Sequence, residues 1–92
     1  MSYVLEFSEH ALEDIEKHIK AGDQSVLKKL QRLFNELRKH PLTGTGQPEK
    51  LKHDLAGLYS RRINRKHRLV YSIKEEIVTV YVVSAWSHYG DK

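Results

Sequence analysis

Between Val26 and Leu37 six apolar side chains (Val26, Leu27, Leu30, Leu33, Phe34 and Leu37) recur at three- and four-residue intervals, with Lys28, Lys29, Arg32 and Arg38 falling elsewhere. Only an α-helix brings such positions to one side. The stripe ends too soon for a coiled-coil seam, so it must be buried against other parts of the same 92-residue chain. That length supports one modest core and one domain.

What the helix packs on follows from its neighbours. Residues 3–7 (YVLEF) have the composition of a strand and stop at Ser8, a natural helix N-cap. A first helix is predicted from there, with Leu12, Ile15 and Ile19 as its apolar positions and Glu9, Glu13 and Glu16 on another face. Ala21-Gly22-Asp23 interrupts it, and Asp23 or Ser25 can cap the second helix. Residues 40–50 contain both prolines and two of the five glycines and read as a loop. Three further strands are predicted at 58–63, 67–73 and 77–86, joined by Asn64-Arg65-Lys66 and Lys74-Glu75-Glu76. The order β-α-α-β-β-β predicts an α+β domain, with two N-terminal helices on one face of a mostly antiparallel four-stranded sheet.

The charge is distributed unevenly. Residues 1–27 sum to −4, whereas 50–74 carry eight Lys or Arg against one Asp, within a net charge of +4. A basic surface of that density favours a polyanionic partner. Alternation along the strands places Ser60, Arg62 and Asn64 on one face and Tyr59, Arg61 and Ile63 on the other. On the next strand Arg68, Val70 and Ser72 oppose His67, Leu69, Tyr71 and Ile73. With the more apolar sets facing the helices, Arg62 and Arg68 lie on the open face, where a planar guanidinium suits phosphate recognition. Arg61 then points the wrong way, which predicts a place at the sheet margin or beside a bulge. The last strand groups Val80, Val82, Ser84, Trp86 and His88, with Trp86 read as core. The start MSYVLEFSEH lacks a basic n-region, no apolar run is long enough for a bilayer, and there is no cysteine. These features predict a soluble cytoplasmic protein without a membrane partner.

The segment GQPEKLKHDLAGLYSRRINRKHRLVYSI, together with SHY near the end, resembles the YoeB/Txe toxins of the RelE/ParE superfamily, with similarity over nearly the whole chain. The resemblance implies a RelE-like fold and an endoribonuclease that cleaves mRNA in the ribosomal A site and so inhibits translation. It also implies a cognate acidic YefM-like antitoxin and a possible homodimer. By the same resemblance Glu49, Arg68 and His88 are catalytic, and Tyr89, Lys52, His53, Arg62 and Arg61 are substrate contacts. The chain departs from the family pattern in Leu58-Tyr59, where a more aromatic pair is usual, and in Gly90-Asp91-Lys92 beyond the His-Tyr pair.

The chemistry of these groups is consistent with that role and needs no cofactor. A carboxylate can take the 2′-hydroxyl proton, guanidinium groups can stabilise the charged phosphorane, and an imidazole can protonate the leaving 5′-oxygen. The expected product is a 2′,3′-cyclic phosphate. The six histidines show no HExxH or comparable metal-ligand spacing. Two rival readings are a ParE-like gyrase poison, which carries no such triad, and a non-catalytic RNA-binding module using the same arginines.

Overall fold

A computed structural model describes residues 2–46 and 48–86. Strand β1 (Val4–Phe7) leads into helices α1 (Glu9–Ala21) and α2 (Gln24–Lys39), followed by β2 (Glu49–Lys50), β3 (Tyr59–Arg62), β4 (Arg68–Lys74) and β5 (Thr79–Ser84). Short 3-10 turns span His53–Leu55 and Glu75–Ile77. The sheet runs β1-β5-β4-β3-β2, with β1 parallel to β5 and every other pair antiparallel. It therefore has five strands where the sequence predicted four. The addition is the two-residue edge strand β2, which pairs Glu49 with Ser60 and Lys50 with Tyr59.

Each helix begins where its cap residue stands. Ser8 Oγ accepts from the Ala11 N–H at 2.9 Å, and Asp23 Oδ1 accepts from the Ser25 and Val26 N–H groups at 3.0 and 3.3 Å. Gly22, at φ 73°, ends α1 in the left-handed region. Val26, Leu30, Leu33 and Leu37 of α2 pack with Leu69, Tyr71, Val80 and Val82 of the sheet, so the stripe and the inward strand faces make one core.

Helix α1 departs from expectation. Ala11, Asp14 and His18 are its buried residues, while Leu12 and Ile19 are each 54% exposed. The reason is polar anchoring. Asp14 Oδ2 accepts from the Ala85 N–H at 2.9 Å, and His18 Nε2 donates to the Ala85 carbonyl at 2.7 Å. Two side chains one turn apart thus satisfy both backbone groups of a residue just past β5, which turns the apolar positions outward.

The last strand is also shorter than predicted. Glu75–Ile77 forms a 3-10 turn and Val78 sits at φ 48°, an uncommon conformation for a β-branched residue, so pairing starts only at Thr79. Val70 pairs with Ser84 but Tyr71 with Val82, which leaves Val83 as an extra residue on β5. That bulge switches parity. Ser84 lies on the face opposite Val82, contrary to the simple alternation that grouped them. Trp86, read as core from sequence, is half-buried, with its ring 4.7 Å from His18 and 4.3 Å from His67 between centroids.

Candidate active site

Directly paired residues on neighbouring strands point to the same side of a sheet. The register therefore sets Glu49, Ser60, Val70 and Ser84 in one row across β2, β3, β4 and β5, on the face away from the helices. Arg62 and Arg68 pair with each other in the next row of that face. The two-residue edge strand, within the segment predicted as loop, brings Glu49 there. Arg68 Nη1 lies 3.5 Å from Glu49 Oε1, with Arg68 20% and Glu49 62% exposed at the side chain. A carboxylate and a guanidinium, 19 residues apart in sequence, meet at the edge of this face, whose central residues Ser60, Val70 and Ser84 are buried, with a second arginine beside them.

Lys52 and His53 are exposed on the segment leaving β2, where Leu51 N–H still bonds to Leu58 O at 2.9 Å. His53 adopts φ 60°, a region that histidine tolerates better than bulky or β-branched residues do. His88 and Tyr89 lie outside the described residues.

Arg61 corrects the sequence reading. It is neither at the margin nor on a bulge but fully buried on the helix side of the sheet, so it is not placed to touch a substrate. Its guanidinium is held by Glu36 Oε1 at 2.9 Å and by the carbonyls of His40, Thr43 and Thr45 at 2.8, 2.6 and 3.4 Å. Its Nε donates to the Tyr71 hydroxyl at 3.1 Å, which in turn donates to the Pro41 carbonyl at 2.9 Å. One cation thereby fixes the loop between α2 and β2. The loop's close approach needs glycine twice. A Cβ on Gly44 would stand 2.5 Å from Glu36 Oε1, and one on Gly46 would stand 2.8 Å from the Arg62 carbonyl, with φ at +117° and +89°. Arg62 N–H donates to Gly46 O at 2.6 Å, tying the loop to the strand that carries the exposed arginine.

Glu36 and Tyr71 were not singled out from the sequence. The available signals were Glu36 as the lone acid in α2 and an arginine at inward parity, since a buried guanidinium demands an acid. Burial alone would raise the Glu36 pKa. The Thr45 hydroxyl and N–H, bonded at 2.6 and 2.7 Å, together with the charges of Arg61 and Arg32, outweigh burial and hold it below the usual value of 4.5. For Tyr71 burial dominates and raises the hydroxyl's pKa, against the opposing pull of Arg61.

A carboxyl whose pKa is depressed on folding stabilises above its unfolded value, and that stabilisation is lost as pH falls through the folded value. The clamp should therefore weaken in acid, from about pH 4.5 downward. Thermal melts of Glu36→Gln should start lower at neutral pH and lose less on acidification than the unmodified protein. Parallel pH profiles would show that Glu36 does not carry this dependence.

The sequence matches, over residues 7–89, the family described as YoeB-like toxin of bacterial type II toxin-antitoxin system. Toxin YoeB of Streptomyces coelicolor is 40% identical over 83 residues, covering 90% of this chain and 95% of that protein. A YoeB/ParE toxin from Agrobacterium tumefaciens superposes with a TM-score of 0.85 at 31% identity, covering 94% of this chain and 99% of the other. Staphylococcus aureus YoeB, solved as a dimer, gives 0.78 at 39% identity over 97% of this chain and all of the other. A YoeB-YefM toxin-antitoxin pair from Staphylococcus aureus has been solved as a heterotetrameric complex. With a family match spanning most of its length and the expected fold in place, this chain belongs to the YoeB toxins of bacterial type II toxin–antitoxin systems.

Proposed function

We propose that the protein is an endoribonuclease that cuts mRNA on the ribosome by acid–base chemistry, with Glu49, Arg68 and His88 as the reacting set. The observation that supports this most is the approach of Arg68 to Glu49, 3.5 Å apart, with Glu49 62% and Arg68 20% exposed, beside Arg62. In this reading Glu49 removes the 2′-hydroxyl proton as the 2′-oxygen bonds to phosphorus. Arg68 and Arg62 take up the negative charge of the phosphorane, and His88 gives a proton to the departing 5′-oxygen as the P–O5′ bond breaks. The guanidinium that approaches Glu49 in the free protein is the group a scissile phosphate would engage. Lys52 and His53 are exposed for backbone contacts, and Tyr89 offers a ring for stacking on an unpaired base.

The protein partner in this reading is a YefM-like antitoxin with an acidic segment that folds onto the basic surface, and two toxin copies can associate as in the Staphylococcus relative. The test is incubation with ribosomes translating a defined mRNA, followed by mapping of RNA ends. Breaks in register with codons are expected. RNA bound but uncut would favour a binding module, and intact RNA with damaged DNA gyrase would favour a ParE-type poison.

A further inference from the structure

The basic open face is not the only cationic surface of the molecule. The solvent side of α2 exposes Lys28, Gln31, Arg32, Asn35 and Lys39, which with Glu36 and His40 line a groove of about 380 Å³. Lysine and arginine at a helix C-terminus commonly complement the helix dipole, which accounts for Arg38 and Lys39. It does not account for Lys28 and Arg32, which stand one and two turns into the helix.

Nor is the charge balanced locally. Glu36 is the helix's single acid, and its Oε1 is taken by Arg61 and the Thr45 N–H while its Oε2 accepts from the Thr45 hydroxyl. Its side chain is 19% exposed and lines the groove, with Oε2 3.7 Å from Arg32 Nε. Lys28 and Lys39 have no ion pair among the described residues. The acidic residues of the two helices are otherwise gathered on α1 and at the start of α2, at Glu9, Glu13, Asp14, Glu16 and Asp23, which separates the signs between the helices.

We infer that the outer face of α2 is a second docking surface for the phosphate backbone of a structured RNA. This inference rests on the ribonuclease reading. Two features favour RNA over an acidic peptide. The groove has no apolar side chain among its lining residues, whereas a peptide that folds on binding needs apolar anchors in a groove. The donors are strung along the helix axis. Lys28 and Lys39 are separated by roughly 16 Å at the helical rise of 1.5 Å per residue, long enough to meet several phosphates of one strand. The helices cover the sheet face opposite Glu49 and Arg68, so a strand engaged at the candidate active site does not occupy α2. The surface therefore serves a different stretch of RNA, one that holds the toxin while the message is cut.

The test compares the unmodified protein with the triple variant Lys28→Glu/Arg32→Glu/Lys39→Glu and its milder counterpart with Gln at all three positions, each checked for an unchanged circular dichroism spectrum. The probe is a blunt-ended RNA duplex, titrated at several salt concentrations. Loss of three phosphate contacts should make the slope of log affinity against log salt shallower by about two to three. With ribosome-bound mRNA, KM should rise roughly tenfold or more while kcat stays unchanged, because the contacts removed are made equally in ground and transition states. An identical salt slope in the charge-reversed and unmodified proteins overturns the inference. So does unchanged duplex affinity together with lost binding of an acidic antitoxin peptide. If the unmodified protein binds duplex through these residues but cuts no RNA, the ribonuclease reading fails and the docking surface stands.

Discussion

Arg68→Ala is expected to lower the rate of RNA cleavage on ribosomes by about 10²–10³, the range for losing one preorganised group that stabilises charge in a transition state. Glu49→Gln should cost about 10²–10⁴ as a lost general base. Both effects should fall on kcat, since the residues act on charge that develops during the reaction. Arg68→Lys should recover only part of the loss, because an ammonium keeps the charge but not the two-pronged geometry. The double variant should be much less impaired than the product of the single effects, as is usual for groups that act as a unit. Glu49→Gln should matter little to folding. Glu49 is 62% and Arg68 20% exposed at the side chain, and the ion pair between them contributes at most about 1 kcal/mol. Normal melting with lost cleavage is the expected combination for Glu49→Gln. Normal cleavage by either alanine or glutamine variant would remove the reason for placing the chemistry on this face.

The second large effect concerns the other arginine of the hairpin and has the opposite character. Arg61→Met should destabilise the protein by about 3–5 kcal/mol, the usual cost of removing one partner from a buried ion pair. The change leaves Glu36 without its closest cation and strands the carbonyls of His40, Thr43 and Thr45, which now accept from the guanidinium. In a domain of this size the melting temperature should fall by roughly 15–30 °C. Glu36→Gln in the Arg61→Met background should cost less than it does alone, because the two residues meet at 2.9 Å and the second loss finds the interaction already broken. Additive effects in that cycle would mean that the clamp is not one network. Neighbouring residues on one strand thus divide the labour. Arg61 holds the loop that delivers β2, and Arg62 faces outward beside Arg68.

Much of this was legible in the sequence because the information was local. Ser8 and Asp23 announced the two helix starts, the apolar stripe of α2 announced its buried side, and alternation through the hairpin put Arg62 and Arg68 outside. What escaped was set by distant parts of the chain. Two residues are too few to show alternation, so β2 could not be distinguished from loop, although it positions Glu49 opposite Ser60. The bulge at Val83 leaves no mark in an apolar run, yet it reverses the side on which Ser84 emerges. Parity showed that Arg61 points inward. Its carboxylate and carbonyl acceptors, however, lie 16 to 25 residues earlier, and only the fold brings them together. On α1 the same limit misled the reading, because Leu12 and Ile19 were the obvious core candidates and the bonds of Asp14 and His18 to Ala85 decided the rotation.

The central claim is that the open sheet face performs an internal displacement on RNA, with Glu49 and Arg68 at its centre. The most direct measurement is the chemical form of the ends left by the purified protein on ribosome-bound message. A 2′,3′-cyclic phosphate upstream and a free 5′-hydroxyl downstream are expected, both disappearing with Glu49→Gln. A 5′-phosphate with a 3′-hydroxyl would contradict the account, since water rather than the neighbouring 2′-oxygen would then be the nucleophile.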